Sequence, residues 1–210
     1  MRFARAGMAV ALIAAAGSAQ AWGLGARIGT TGIGGDFGFD VAPTLGGRIG
    51  YSAGSISRDL ETDDVNYDAK AKLSNLNLLL DWSPLGPFRI SFGFIANDNK
   101  IDVNGVGNPG TALAGSTVTG QVKADKSFAP YLGIGYGNVW TAGFNFYFDL
   151  GIMFQGSPQV SLTATCSPST PPAQCTAAQN EVAAERQRLQ DKVDRYKYYP
   201  VANIGITFGF

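Results

Sequence analysis

The chain has 210 residues, with 16 basic and 16 acidic side chains, 28 glycines and no histidine. Such a length suits one domain, and the balanced charge leaves no broad basic field for nucleic acid. The missing histidine removes the side chain most often used as a general base near neutral pH.

Residues 1–21 carry Arg2 and Arg5, an apolar run over 8–16, and then Ser18-Ala19-Gln20-Ala21. A basic start, a short apolar middle and a small-x-small site form a secretory signal. The run is well short of the roughly 20 residues of a spanning helix, which weighs against an uncleaved anchor. Without this segment the net charge is 14 − 16 = −2, and the mature chain starts at Trp22.

From there, eight segments alternate apolar with small or polar residues. The first, 22–30, sets Leu24, Ala26 and Ile28 on one face, and the second, 33–41, sets Phe37, Phe39 and Val41. The third, 45–58, shows Ile49, Tyr51 and Ala53; the fourth, 67–82, opposes Leu76, Leu78, Leu80 and Trp82 to Asn75, Asn77 and Asp81. The fifth, 88–103, alternates Phe88, Ile90, Phe92 and Phe94 with Arg89, Ser91, Gly93 and Ile95. The sixth, 122–136, sets Phe128, Leu132, Ile134 and Tyr136 against Ala129, Tyr131, Gly133 and Gly135. The seventh runs from Phe144 to Phe154 with Asn145, Tyr147 and Asp149 on its other face, and the eighth ends the chain with Ile204, Ile206, Phe208 and Phe210 on one side.

One face is packed with bulky aromatics and the other with glycine, Ser, Asn and a few charges. A soluble barrel would bury the first and wet the second, and the narrow interior favours the reverse arrangement in lipid. In hydrocarbon every backbone group must be paired internally, so the sheet must close. The expectation is an all-β, eight-stranded antiparallel up-and-down transmembrane barrel in a bacterial outer membrane.

Short connections at 42–44, 83–87 and 137–143 alternate with long ones at 59–66, 104–121 and 156–197. Short turns face the periplasm and long loops face outward in such barrels. Trp22, Trp82, Trp140 and Phe210 then fall at the periplasmic rim, where an aromatic girdle is expected. In the last long loop, 157–197, Cys166 and Cys175 flank a proline-rich stretch, and one disulfide is the simplest reading for an exported protein. A metal site is the alternative, weakened by the lack of histidine. Residues 177–195 read as a helix whose Val182, Leu189, Val193 and Tyr196 form a narrow stripe that docks on the barrel mouth, the neighbouring loop or a coiled-coil partner.

The stretches Phe128-Ala129-Pro130-Tyr131-Leu132-Gly133, Phe148-Asp149-Leu150-Gly151 and Ile204-Gly205-Ile206-Thr207-Phe208-Gly209-Phe210 carry a family likeness. The mature chain, 22–210, resembles exported proteobacterial outer-membrane β-barrels of no assigned activity and, more broadly, the OmpA/OmpX-type small barrels. The resemblance implies that Phe210 is read by the barrel-assembly machinery. With no peptidoglycan-binding domain after it, no cell-wall tether is implied.

For function, the lack of histidine argues against the hydrolases and acyltransferases of such membranes, and carboxylate-only catalysis would need two acids in an accessible cleft. The expectation is a non-catalytic barrel without cofactor, its outer loops carrying recognition of an unspecified partner; a narrow or gated pore is the alternative. Three charge pairs are expected to close the lumen. Hairpin symmetry sets Asp40 opposite Arg48, Asp81 opposite Arg89 and Arg27 near Asp36, with Asp149 free to join them. Separately hydrated charges in a wet channel remain the alternative. Lys70 and Lys72 continue the outward parity above the roughly 25 Å apolar band, where they would meet lipopolysaccharide phosphates. A bulge near Leu73 would instead turn them into the lumen.

Overall fold

The computed structural model describes residues 21–61, 65–107, 116–168 and 170–210, with backbone only over 59–61 and 65–67. The signal expected over 1–21 lies outside the described residues except for Ala21. The strands are β1 (Trp22–Gly29), β2 (Gly32–Ala42), β3 (Leu45–Glu61), β4 (Val65–Leu85), β5 (Phe88–Asn97), β6 (Lys100–Gly107), β7 (Ser116–Lys123), β8 (Phe128–Tyr136), β9 (Gly143–Met153), β10 (Gln159–Cys166) and β11 (Tyr199–Gly209). One helix, α1 (Pro172–Val193), lies between β10 and β11. No helix is long and apolar enough to cross a membrane, which says nothing of strands.

Antiparallel pairing runs β1–β2–β3–β4–β5–β8–β9–β11 and returns to β1, so these strands form a closed ring. Both ends of the ring's chain meet, since the Phe210 amide donates to the Trp22 carbonyl at 2.8 Å and their rings stack at 4.3 Å. Along each ring strand the alternation separates two environments. Phe146 is 70 % exposed, whereas Arg48 is 1 % exposed. Such an inside-out distribution suits a wall that faces lipid.

The sheet holds more than the eight strands expected: β6, β7 and β10 are additional. The predicted fifth segment breaks at Asp98-Asn99 and the sixth over 124–127. Asp and Asn favour turns because their side chains satisfy nearby backbone. The Asn97 carboxamide oxygen accepts from the Asn99 amide at 2.9 Å, and Asn99 Oδ1 accepts from the Ser74 amide at 2.9 Å. Even-numbered residues stay outward across Asp98-Asn99, but the apolar set passes from Phe92 and Phe94 to Ile101 and Val103.

The long β3–β4 hairpin keeps one register from Leu45 opposite Trp82 to Glu61 opposite Asn66. Over 75–85, β4 pairs with β5; over 65–72 it pairs with β6, which continues to β7 and β10. The upper hairpin therefore leaves the ring and seeds a second, projecting sheet.

Helix α1 covers one face of that sheet, burying Ala178 and Val182 against Val118 and Ala164, with Leu162 alongside. It starts earlier than the 177–195 expected because Pro172 supplies a preset φ at the first turn, where its missing N–H costs nothing. Leu189 and Val193 are half-buried, while Tyr196 lies beyond the helix and is exposed. Gln190 accepts from the Val160 amide at 2.9 Å and donates to the Pro158 carbonyl at 2.8 Å, satisfying part of the free β10 edge. The Cys166–Cys175 disulfide ties the end of β10 to the first turn of α1.

Candidate functional site

The ring strands aim three arginines and three aspartates into one narrow space. Arg48 on β3 reaches Asp81 of β4 at 2.9 Å and crosses the lumen to Asp149 of β9 at 2.7 Å. Arg89 on β5 meets the same Asp149 at 2.5 Å and lies 3.8 Å from Asp81. Ser91 donates to Asp81 at 2.5 Å and accepts from both guanidiniums at 3.3 Å. Two cations and two anions thus share one buried cluster without net charge. Burying an unpaired charge costs far more than burying a matched set with hydrogen bonds.

Tyr147, two residues before Asp149 on β9, joins this cluster to a second one. Its ring faces the guanidiniums of Arg48 at 5.9 Å and Arg89 at 5.4 Å, and its hydroxyl donates to Asp36. Asp36 in turn binds Arg27 at 3.2 Å, and Arg27 donates to Ser52 at 3.3 Å. With the carboxamide of Asn77 turned to face Arg27, its oxygen accepts from the same guanidinium.

Beyond the charges the lumen holds an apolar cluster, in which Leu79, Ile95, Ala129, Tyr131, Met153 and Val201 pack together with Tyr199 against them, beside buried polar groups that include Thr31, Asn75, Asn97 and Asn203. The inward glycines do not leave open space, because their missing Cβ atoms are where rings fit. A Cβ at Gly133 or Gly151 would strike the Tyr131 hydroxyl, and one at Gly205 would strike the Tyr147 ring. Packed interiors of this kind leave few voids the size of water.

The opposite end is closed by the β8–β9 connection. Val139 is fully buried against Gly23 and Gly38, and the Trp140 ring lies on Gly46. Gly137 and Gly143 bracket this turn, both with φ of 79°, a left-handed conformation that glycine adopts without steric cost. Ser83 donates to Asn138 at 3.0 Å, and Ala142 bridges to Gly209.

Several expectations need correction. Asp40 does not face Arg48: Gly46 is opposite Asp40 and Gly38 is opposite Arg48. The β2–β3 turn is centred one position earlier than expected, with a bulge between Asp40 and Ala42. Among the described residues Asp40 has no ion-pair partner, and its Oδ1 is buried without a hydrogen bond. Asp81 faces Ser91 rather than Arg89, and Arg27 faces Gly34 rather than Asp36. Both pairs meet diagonally instead, within the reach of an arginine. Trp140 is not part of an outward girdle, because its ring turns under the lumen; Trp22, Trp82 and Phe210 are exposed on the outer wall. The β3–β4 register has no shift near Leu73, so Lys70 and Lys72 keep outward parity, and Lys72 pairs with Asp102 at 2.6 Å.

Sequence reasoning missed Tyr147, Val139 and Ser91 as parts of the closure. Tyr147 and Ser91 had inward parity as their only signal, and Val139 lies in a turn where parity says nothing. Among the described residues, no group of three His, Cys, Asp or Glu side chains converges as a metal site.

Comparison with solved structures agrees with this architecture. Acinetobacter baumannii CarO2 is similar over 90 % of this chain and 98 % of its own, with 23 % identity and a TM-score of 0.62. Acinetobacter baumannii CarO is similar over 90 % of this chain and 97 % of its own, with 24 % identity and a TM-score of 0.60. A major outer membrane protein from Thermus thermophilus aligns more loosely, at 15 % identity over 92 % of this chain and 100 % of its own, with a TM-score of 0.44. No protein-family description and no curated protein matches the sequence. At these identities the likeness to the two Acinetobacter proteins is one of fold, and that fold, with its apolar outer wall, is a bacterial outer-membrane β-barrel.

Proposed function

We propose that this protein is a non-catalytic outer-membrane barrel whose sealed, eight-stranded ring anchors an external recognition platform. The observation that carries this reading is the closed Arg48–Asp81–Arg89–Asp149 cluster. Each carboxylate lies against a guanidinium, which supports a lumen closed at this level with neither acid held ready for a substrate. An eight-stranded ring is just wide enough to be filled by its own side chains, and the buried charge cluster and the Tyr131 and Tyr147 rings support that reading.

The ring then serves as a mount. The projecting sheet with α1 and its disulfide is the part free to meet a partner, since loops held by a rigid scaffold are where recognition is usually carried. Short turns put both termini on the periplasmic side and residues 157–197 outside. The C-terminal aromatic Phe210 suits engagement by the barrel-assembly machinery. Protease added to intact cells should cut within 157–197, whereas cleavage only after permeabilisation would overturn this orientation. Deleting 157–196 should abolish surface recognition while the ring still assembles.

A second reading, a gated pore, draws on the Val139-Trp140 turn and its flanking glycines, Gly137 and Gly143. If that turn swung away, the periplasmic mouth would open as far as the charge cluster. Conductance separates the two readings.

A further inference from the structure

The strands that leave the ring exchange the polarity of their two faces. Within the ring, β4 exposes Leu78, Leu80 and Trp82 and buries Asn75, Asn77 and Asp81. Above it, the outward parity of β4 carries Lys72 and Lys70, and the lumen parity carries Leu73, Ala71 and Ala69. The neighbouring strands agree. Outward parity holds Lys100, Asp102 and Asn104 on β6 and Thr119, Gln121 and Lys123 on β7, while the other face holds Ile101, Val103, Val118 and Val122. A lysine-bearing face does not lie in hydrocarbon, so the apolar layer ends between Leu76 and Lys72. Four residues of strand span about 13 Å. Lys72 therefore stands at the level of the outer-leaflet headgroups.

At that level, Lys72, Lys100 and Lys123 stand side by side on β4, β6 and β7: Lys72 faces Lys100, and Lys100 faces Lys123. Like charges directly opposite one another are destabilising. Asp102 holds Lys72 at 2.6 Å, and Asp98 holds Lys123 at 3.3 Å. No carboxylate among the described residues lies within 4.0 Å of Lys100 or Lys70 in an ion pair. Lys70 faces Asp102 in register, and Asp68, two residues further up β4 on the same face, faces Asn104. Four lysines against three acids, Asp98, Asp102 and Asp68, leave this face net positive where the leaflet presents its charges.

We propose that the Lys72–Lys100–Lys123 row, with Lys70 beside it, docks the phosphate groups of a phosphorylated glycolipid headgroup in the outer leaflet. Charge complementarity and depth select this occupant, and a lysine suits phosphate because its ammonium is a compact, mobile point charge. The proposal rests on the membrane placement above but not on a sealed lumen: a conducting barrel with the same lysine dependence would remove the seal and keep the site.

The test uses the full mature chain in mixed micelles, titrated with bisphosphorylated lipid A and, separately, with dephosphorylated lipid A. Each lysine at a charged surface contributes roughly five-fold, so K100Q/K123Q should weaken binding of the phosphorylated lipid roughly twenty-five-fold. Binding of the dephosphorylated lipid should not change. D98N/D102N leaves every lysine in place and should tighten binding of the phosphorylated lipid, which keeps the test independent of how K100Q/K123Q folds. Unchanged affinity in both variants would overturn the proposal, as would an equal loss for both lipids. Displacement by inorganic phosphate as readily as by lipid A would assign the row to free phosphate and overturn it as well.

Discussion

Arg48 and Asp149 are 101 positions apart in the chain and meet at 2.7 Å across the barrel, on strands that are not neighbours in the ring. This contact fixes the lumen's diameter at that level to the length of two side chains. It also makes closure of the ring, rather than any one hairpin, the event that pairs the charges.

Removing one partner from such a buried pair should be costly. R48Q is expected to destabilise the barrel by about 3–5 kcal/mol, because it leaves Asp81 and Asp149 under-compensated. Adding D149N should recover part of that loss, and a double-mutant cycle measured by denaturant unfolding in detergent should show coupling well above the scatter of independent sites. Additive effects would mean that the two side chains are separately hydrated.

The three tryptophans should report different surroundings. In single-tryptophan variants reconstituted in bilayers with brominated acyl chains, Trp22 and Trp82 should be strongly quenched, and Trp140, lying on Gly46 under the lumen, should not. W140A should also destabilise the barrel, by less than the roughly 3–5 kcal/mol of a fully buried aromatic because Trp140 is half-buried. Strong quenching of Trp140 would return it to an outward girdle.

Loss of the Cys166–Cys175 bridge should be felt locally. A closed loop this short is worth about 2–3 kcal/mol at most, and only to the segment it ties. Hydrogen exchange in C166S/C175S should therefore speed up over α1 and β10 and leave β1, β9 and β11 unchanged. Faster exchange throughout the ring would contradict the separation of platform from anchor.

The projecting sheet should respond to acid through Asp102. A hydrogen bond from Lys72, and then one from Gln121, holds its carboxyl below the usual carboxylate range despite some opposing desolvation. A carboxyl lowered on folding stabilises the folded form above its unfolded value, and that contribution disappears as pH falls through the folded one. The Lys72–Asp102 contact should thus persist down to about pH 4, the ordinary aspartate range, and loosen only below it. A carboxyl-carbon NMR titration of Asp102 with its midpoint at or above that range would contradict this.

Much of this was legible because a membrane barrel writes its two faces into every strand. The parity of Phe144 to Phe154 or of Ile204 to Phe210 needs no partner to be read. Register was harder. A shift of one position at the β2–β3 turn moved Asp40 away from Arg48, and such bulges depend on local backbone geometry that periodicity does not encode. Long-range packing was out of reach. That Tyr131 fills the space left by Gly133 and Gly151, or that Lys100 and Lys123 come to lie beside Lys72, depends on which strands become neighbours. The turn with Val139 and Trp140 misled for a related reason: an aromatic near a short turn can face lipid or fold beneath the lumen, and only the glycines opposite, Gly38 and Gly46, decide.

The sealed lumen is tested most directly by single-channel recording from pure refolded protein in planar bilayers. The wild-type barrel should give no reproducible unit steps, and a variant combining R48Q with W140G should give small ones as the charge cluster and the turn beneath it loosen. Regular unit conductance from the wild-type protein would contradict the sealed ring and establish the pore.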